Sequence, residues 1–263
     1  MSSAPPTVLC FSASDPTCGA GLQADLLTLA SLGCHPLSVL TAVTAQDTRG
    51  VDGLLALEPA WISRQARVLL QDMPVAGFKL GVLGSAANAR AVAAVLAEHP
   101  GIPVVLDPVL ASGRGDALAD AGTIEVLRSA LLPRATVSTP NSVEARRLAG
   151  AAPDADLAAC ALDLVNLGCR YVLVTGTHEA GPEVVNTLYG ARGMMRADRW
   201  QRLPGDYHGS GCTLASAIAA LLARGLPVED AVRRAEDYTW KSLAAGFSPG
   251  RGQAIPERLF QSR

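Results

Sequence analysis

The chain has 263 residues, of which 49% are apolar and 17% are charged, and its formal net charge is −2 at pH 7. This composition excludes an intrinsically disordered protein, because disordered chains are poor in apolar residues and rich in charge. The near-neutral charge argues against a nucleic-acid-binding protein, which usually shows a strong basic excess.

Runs typical of strands alternate with runs typical of helices along the whole chain. Apolar residues at helical spacing, ended by a glycine, predict a helix in the first of the helical runs. In chain order the predicted elements are a strand at Val8–Ala13, a helix at Gly21–Gly33, a strand at Leu37–Val43, a short excursion at Leu54–Leu57, a helix from Pro59 to Asp72, a strand at Phe78–Leu83, a helix at Ala86–Glu98, a strand at Val104–Leu106, a helix at Thr123–Leu132, a strand at Thr136–Ser138, helices at Asn141–Leu148 and Asp156–Leu167, a strand at Tyr171–Val174, a hairpin of Val184–Tyr189 and Met194–Trp200, and helices at Cys212–Arg224 and Val228–Ala245.

This alternation predicts an α/β protein with a mostly parallel sheet that is covered by helices on both faces. No linker divides the chain, so we expect one domain over residues 1–263. No apolar stretch is long enough to cross a bilayer, and the first residues lack a secretion signal. We therefore expect a cytoplasmic protein that does not contact membranes. The six cysteines form no C-x-x-C pair, which excludes zinc ribbons of that type.

A glycine-rich loop follows the first predicted strand. Its segment Gly19–Ala24 fits the dinucleotide pattern G-x-G-x-x-A. However, five residues separate the strand from Gly19, and the acidic residue expected about 20 positions further on is missing. A nicotinamide-dependent enzyme is therefore disfavoured, and a tight glycine turn without ligand is the simpler alternative.

Polar side chains follow three further strands, where α/β sheets bind ligands. Gln46 is either an ordinary loop residue or an amide able to bind a planar heterocycle. Asp107 directly follows a buried strand, and Asn141 and Glu144 follow the next. Asn141 is a natural helix cap. Asp107 and Glu144 are also adequate for magnesium, which keeps several waters and takes one or two carboxylates with phosphate oxygens.

The strongest motif is the segment 208–213, His-Gly-Ser-Gly-Cys-Thr, at the start of an apolar helix. Glycines at a helix start let backbone N–H groups converge on an anion, and the helix dipole favours negative charge there. Gly209, Ser210 and Gly211 thus predict a phosphate site without the lysine of a P-loop. Cys212 is either a small buried residue or a thiol whose pKa is lowered by the helix start.

In this order the motifs resemble those of the hydroxymethylpyrimidine/phosphomethylpyrimidine kinases of thiamine biosynthesis, which belong to the ribokinase-like superfamily. The resemblance spans about residues 8 to 247. The motifs are Ser14-Asp15-Pro16 with Gly19-Ala20-Gly21-Leu22-Gln23-Ala24-Asp25, Thr41-Ala42-Val43-Thr44-Ala45-Gln46-Asp47-Thr48, Asp107-Pro108-Val109, Thr139-Pro140-Asn141 with Glu144, and His208-Gly209-Ser210-Gly211-Cys212-Thr213.

The resemblance implies a ribokinase-like fold, ATP as phosphoryl donor, Mg²⁺ and a homodimer. It implies two phosphorylations, first of 4-amino-5-hydroxymethyl-2-methylpyrimidine and then of its monophosphate. Gln46 would hold the pyrimidine with Val109 packed near it, and Asp15 and Gly19 would belong to the same substrate site.

For phosphoryl transfer, the resemblance implies that Asn141, Glu144 and Asp107 organise magnesium. The anion hole would run from Gly209 to Cys212, with Cys212 as the base.

The chain departs from this family at Thr175, where members commonly carry a lysine. Arg49 and Arg114, both in glycine-flanked segments, are the candidate replacements for that positive charge. Two other functions stay open: a pyridoxal- or pyridoxine-type kinase on the same fold, and a non-catalytic module that binds the pyrimidine.

Overall fold

The computed structural model describes residues 4–113 and 115–262. Within them a nine-stranded sheet has the order β3-β2-β1-β4-β5-β6-β7-β8-β9. The strands from β2 to β7 in this order pair in parallel, whereas β3, β8 and β9 are antiparallel additions at the two edges. The strands are Thr7–Ser14 (β1), His35–Asp47 (β2), Gly50–Ala56 (β3), Gly77–Leu80 (β4), Val104–Leu106 (β5), Val137–Ser138 (β6), Tyr171–Val174 (β7), Glu183–Gly190 (β8) and Gly193–Gln201 (β9).

The helices cover both faces of this sheet, which confirms the predicted α/β class. They are Gly21–Ser31 (α1), Pro59–Asp72 (α2), Ala86–Ala97 (α3), Ala121–Val126 (α4), Ser142–Ala149 (α5), Leu157–Asn166 (α6), Ser210–Ala223 (α7) and Val228–Ala244 (α8). No helix in the described ranges combines the length and the apolar character needed to cross a membrane.

Two hydrophobic cores lie on opposite sides of the sheet, because successive side chains of a strand point to opposite faces. On β1, Leu9 and Phe11 join the core formed with α2 to α6. Val8 and Cys10 join the other core, formed with α1, α7 and α8. Helix α7 is buried over most of its length, which explains why its sequence is apolar on all sides.

The sequence prediction was wrong about the two segments between α1 and α2. The strand predicted to end at Val43 continues to Asp47, and the excursion predicted at Leu54–Leu57 is the full strand β3. Beyond Val43, β2 pairs only with β3, so the two strands form an antiparallel hairpin that extends past the parallel sheet.

Two other predicted elements differ from the structure. The helix predicted at Thr123–Leu132 is divided into α4, a π-helical turn at Leu127–Leu131 and a 3₁₀ turn. Pro133 in the last turn has no backbone N–H to continue an α-helix. The strand predicted to reach Leu83 ends at Leu80.

Candidate active site

The segments with the predicted site residues meet beyond the carboxyl ends of the parallel strands. The loop after β1 contacts the turn before α7, and Asp107 after β5 contacts Cys212 in α7. Asn141 and Thr175, which follow β6 and β7, form a parallel bridge. The topology therefore gathers residues that are far apart in sequence at one edge of the sheet, as expected for an open α/β fold.

Asp15 organises the loop after β1. Its carboxylate accepts hydrogen bonds from Thr17, from the Ala20 N–H at 2.7 Å and from His208 Nε2 at 2.8 Å. Burial by itself raises the pKa of Asp15, but hydrogen bonds from His208, Gln46 and Thr17 lower it well below its ordinary value. Asp15 is thus a buried carboxylate that joins the first loop to the turn before α7.

Gly19 and Gly209 let these two segments approach each other closely. A Cβ on Gly209 would lie 2.0 Å from the Gly19 carbonyl oxygen, and Gly209 has a φ of 81° that L-residues rarely adopt. A Cβ on Gly19 would lie 2.5 Å from Cδ2 of His208. Neither position has room for a side chain, which supports the importance predicted for both glycines.

Gln46 lies on the β2–β3 hairpin and not in a loop after the strand, as the sequence had suggested. Its side chain is half-buried, and a hydrogen bond from it is one of the influences that lower the pKa of Asp15. It also lines a cavity of ≈ 400 Å³ together with Thr17, Arg49 and Arg251. Gln46 therefore combines a contact with the buried network with access to an open pocket.

The turn at Gly209–Cys212 has the form expected of an anion site. Gly209 is the N-cap of α7, and the helix begins at Ser210, two residues earlier than predicted. A helix leaves its first N–H groups without acceptors inside the helix. Those of Ser210, Gly211 and Cys212 are therefore available to an anion, with the positive end of the helix dipole behind them.

The ionisation predicted for Cys212 was wrong. The pKa of its thiol is raised to about 12, chiefly by burial and also by the charges of Asp107 and Asp25, against the opposing effect of Lys79. The helix start is too weak to overcome this desolvation next to two carboxylates. Cys212 is half-buried, and the charges of Asp107 and Lys79 both act on its thiol, so it is not simply a small core residue.

The carboxylates of Asp107 and Glu144 are buried and close enough to repel each other. Burial raises the pKa of Asp107 to about 6 and that of Glu144 to about 8, and the charge of Asp107 adds to the effect on Glu144. Asn141 caps α5 and forms a capping box with Glu144, whose other oxygen accepts the Leu110 N–H at 3.2 Å. The capping interpretation of Asn141 and Glu144 is therefore confirmed.

The same residues also fit a hydrated magnesium ion. Oδ2 of Asp107 is buried and has no hydrogen-bond partner among the described residues. The two repelling carboxylates would both be stabilised by a cation. No cluster of three or more acidic, histidine or cysteine side chains able to hold a metal occurs in residues 4–113 and 115–262. This donor set suits magnesium bound largely through water and phosphate oxygens.

The sequence analysis missed a buried ion pair beneath the site. The side chains of Lys79 on β4 and Asp25 on α1 are fully buried, and Lys79 Nζ lies 2.8 Å from Asp25 and 4.0 Å from Asp107. Burial by itself lowers the pKa of Lys79. The nearby groups of Asp25, Cys212 and Asp107 outweigh this effect and raise the pKa above its ordinary value. A lysine in an otherwise apolar strand was the available signal, because lysine is almost never fully buried unless it is paired.

Two further residues of the site were not assigned a role from the sequence. Gln23 accepts the Asp15 N–H at 2.9 Å and donates to Ser14 Oγ, so it supports the first loop. Arg258 lies in the C-terminal segment and contacts both the first loop and α7. Gln23 belongs to the glycine-rich motif, but no local pattern marks Arg258.

The region around Thr175 carries no lysine to contact a phosphate. Thr175 N–H donates to the Pro140 carbonyl, and its own carbonyl accepts from Ser142, so the residue joins β7 to the start of α5. Arg49, one of the predicted replacements, forms an exposed ion pair with Asp47 at the mouth of the Gln46 cavity. The other, Arg114, lies outside the described residues.

The geometry brings together a cavity for a small ring, a turn for an anion and a carboxylate pair for a cation. A cavity with an amide side chain adjoins a buried Asp15–His208 pair. The turn at Gly209–Cys212 offers N–H groups to an anion beside a carboxylate pair suited to a cation. Val109, which follows Asp107 in the same loop, is partly exposed and donates its N–H to the Asp107 carbonyl. Such an arrangement can bind a small polar ring and stabilise a phosphoryl group in transfer.

Comparisons with known proteins agree with this chemistry. Residues 15–257 match the family described as Phosphomethylpyrimidine kinase. The hydroxymethylpyrimidine/phosphomethylpyrimidine kinase of Streptomyces coelicolor is 42% identical over 254 residues, covering 94% of this chain and 92% of that protein. The thiamine biosynthesis bifunctional protein of Geobacter sulfurreducens is 40% identical over 94% of this chain and 51% of its own length.

Among solved structures, the pyridoxal kinase of Staphylococcus aureus in complex with pyridoxal has a TM-score of 0.90 and 25% identity, covering 99% of this chain and 96% of that one. The fold is thus shared with a vitamin kinase, which confirms the predicted ribokinase-like class. The higher identities lie with the pyrimidine kinases, and the family match covers nearly the whole chain. The chain therefore belongs to the phosphomethylpyrimidine kinase family.

Proposed function

We propose that this protein transfers the γ-phosphoryl group of ATP to 4-amino-5-hydroxymethyl-2-methylpyrimidine and then to the resulting monophosphate, in thiamine biosynthesis. The observation that carries this proposal is the adjacency of Gln46, the Asp15–His208 pair and the Gly209–Cys212 turn at one edge of the sheet. A heterocycle-binding amide thereby lies next to an anion-binding helix start.

The pyrimidine is assigned to the cavity beside Gln46. An amide offers two donors and an acceptor in one plane, which suits the amino group and ring nitrogens of an aminopyrimidine. Gln46 acts on Asp15, whose pKa it helps to lower. Val109, which is partly exposed in the loop after β5, is proposed as an apolar neighbour of the ring. The hydroxymethyl group then faces the Gly209–Cys212 turn.

In the first phosphorylation, the hydroxymethyl oxygen forms a bond to the γ-phosphorus while the bond between that phosphorus and the bridging oxygen of ADP breaks. The alcohol proton passes to the pair of Cys212 and Asp107, whose carboxylate acts on the thiol through its charge. N–H groups from Ser210 to Cys212 stabilise the charge that develops on the phosphoryl oxygens. A phosphate nucleophile in the second reaction is already ionised and needs little help from a base.

Magnesium is proposed beside Asp107, Glu144 and Asn141, with Asp107 supplying an oxygen and Glu144 acting through water. When bound, the ion supplies positive charge that neutralises phosphate oxygens and lowers the pKa of neighbouring acids. Asp107 holds that charge next to the Gly209–Cys212 turn, since a Cβ on Gly211 would lie 3.8 Å from its Oδ1.

The direct test is turnover of the purified protein with magnesium and ATP. Hydroxymethylpyrimidine, its monophosphate and pyridoxal should be compared, with phosphate esters followed by ³¹P NMR and ADP release by a coupled assay. We expect turnover of both pyrimidines. Pyrimidine binding without ADP release would indicate the non-catalytic binding module and refute the proposal.

Pyridoxal phosphorylation is the second candidate activity. It is favoured by the TM-score of 0.90 to a pyridoxal kinase, against which stands the much higher sequence identity to pyrimidine kinases. A specificity constant for pyridoxal above that for both pyrimidines would make it the main activity.

We also propose that the protein is a cytoplasmic homodimer. Large apolar side chains on β3 and α2 are exposed, with Leu55 at 67%, Trp61 at 53% and Val68 at 60%. An apolar edge of this kind suits a second copy of the chain. Light scattering coupled to size-exclusion chromatography should give twice the 27.1 kDa of one chain, and cell fractionation tests the location.

A further inference from the structure

Arg258 is a buried cation at the end of the chain. Only 2% of its surface is exposed. The segment that carries Arg258 contacts two parts of the site. Ala254 forms a bridge with Tyr207, and the Ala254 carbonyl accepts the His208 N–H. The Arg258 carbonyl accepts a hydrogen bond from the Tyr238 hydroxyl of α8. This segment is therefore attached both to the turn before α7 and to α8, which holds Arg258 in one place.

The Arg258 side chain connects the loop after β1 to the start of α7, on the inner side of the Gly209–Cys212 turn. Its Nε donates to Thr213 Oγ1 at 3.0 Å, and its terminal nitrogens donate to the carbonyls of Gly19 at 2.5 Å and Cys18 at 3.4 Å. A Cβ on Gly209 would lie 2.9 Å from the same guanidinium. The guanidinium thus packs against the backbone of Gly209 and connects α7 to the first loop.

The charge of this guanidinium has no carboxylate in direct contact among the described residues. Burial lowers the pKa of Arg258, and the more distant charges of Asp25 and Asp15 oppose that effect only in part. Over the described part of the chain, no carboxylate lies within 4.0 Å of Arg258, and its hydrogen-bond acceptors are two carbonyls and one hydroxyl. A buried charge is costly unless something compensates it. An anion on the open side of the Gly209–Cys212 turn would add to the partial compensation from Asp25 and Asp15.

We propose that Arg258 is a positioning residue of the phosphoryl-transfer site, which holds the first loop against the start of α7 and adds its positive charge to the Gly209–Cys212 turn. The inference rests on the proposed function for the identity of the anion, a phosphoryl group. In this role Arg258 provides positive charge from behind the turn, on the side where it contacts Thr213 and Gly19.

The first experiment measures charge at the turn without any turnover. Alkylation of Cys212 by anionic iodoacetate and by neutral iodoacetamide is followed at one fixed pH by peptide-resolved mass spectrometry. The ratio of the two rates cancels the thiolate fraction and reports the local potential. We expect the ratio of the iodoacetate rate to the iodoacetamide rate to decrease about three- to tenfold in Arg258→Met relative to the wild type.

Arg224→Met is the matched control. It removes the same charge from the other end of α7, where Arg224 donates to the Leu32 carbonyl. At 1.5 Å per residue the two ends of this helix are about 20 Å apart, beyond the Debye length of about 8 Å at physiological salt. Its alkylation ratio should equal that of the wild type.

The second experiment uses kinetics and the conservative variant. Arg258→Met should lower kcat about ten- to hundredfold. Arg258→Lys retains the charge but not the three hydrogen bonds of the guanidinium, so its kcat should lie below that of wild type and at least about threefold above that of Arg258→Met. A purely structural role would lower the melting temperature and kcat of both variants equally and leave the alkylation ratio unchanged, and that result would overturn the proposal.

The remaining outcomes are also decisive. If Arg258→Met does not fold, an Arg258→Lys variant that loses the wild-type ratio refutes the role of the charge. If the wild type turns over no pyrimidine, the proposed function fails, but the alkylation ratio still decides whether Arg258 charges the turn.

Discussion

Replacing Gly209 by alanine should separate catalytic geometry from stability. The φ of 81° costs a non-glycine residue about 1–2 kcal/mol. The new Cβ would also lie 2.0 Å from the Gly19 carbonyl oxygen and 2.9 Å from Cα of Ala20, so backbone must move. Such overpacking adds about 1–3 kcal/mol, which gives a total loss of about 2–5 kcal/mol.

The displacement should matter more for catalysis than for folding. The first loop and the start of α7 must separate by about 1 Å to accept the methyl group, and a misplacement of this size can cost about 10²-fold in rate. Turnover is measured by ADP release, and stability by urea unfolding. We expect kcat to fall by about 100-fold or more in a variant that still folds.

Gly205→Ala is the control for this variant. Gly205 has a similar φ of 87°, but a Cβ there would meet nothing within 4 Å. It should lose about 1–2 kcal/mol and keep full turnover. Equal effects of the two substitutions on kcat, or normal turnover by Gly209→Ala, would refute the close approach of the two segments as the requirement.

Four further predictions concern Gln46, Cys212 and Lys79. Gln46→Ala should raise KM for the pyrimidine about 5- to 150-fold and leave KM for ATP unchanged; equal increases would contradict the assignment. Cys212→Ala should lose about 10²–10⁴-fold in the first phosphorylation and less in the second, whereas equal losses would indicate a role in anion-hole geometry. Since the thiol pKa is raised to about 12, the thiolate fraction in the protein without ligands grows with pH, so iodoacetamide should modify Cys212 about tenfold faster per pH unit from 7 to 9; a plateau in this range would contradict that pKa. Lys79→Met should lower the unfolding free energy by about 3–5 kcal/mol by leaving Asp25 unpaired, and the double variant with Asp25→Asn should recover part of it; a loss below about 1 kcal/mol would show that the ion pair is not needed.

Much of the site was predictable because its backbone chemistry is local. A glycine pair before an apolar helix predicts an anion turn wherever the helix packs, and the structure has that turn at Gly209–Cys212. The capping box of Asn141 and Glu144 likewise depends on residues three positions apart. For Glu144 the sequence left capping and magnesium as alternatives, and the structure makes them compatible, because its carboxylate caps the helix while repelling Asp107.

The sequence by itself determined the class of fold and the order of its strands and helices, because hydrophobic periodicity and turn residues act over a few positions. It also determined where the anion turn begins. Only the tertiary structure decided the ionisation of Cys212, since the helix start favours the thiolate but burial beside Asp107 opposes it. Likewise, only the tertiary structure packed the Arg258 guanidinium against the backbone of Gly209, although Arg258 follows Gly209 by 49 positions in the chain. Desolvation and charge proximity depend on which distant segments pack together, and no local pattern records that.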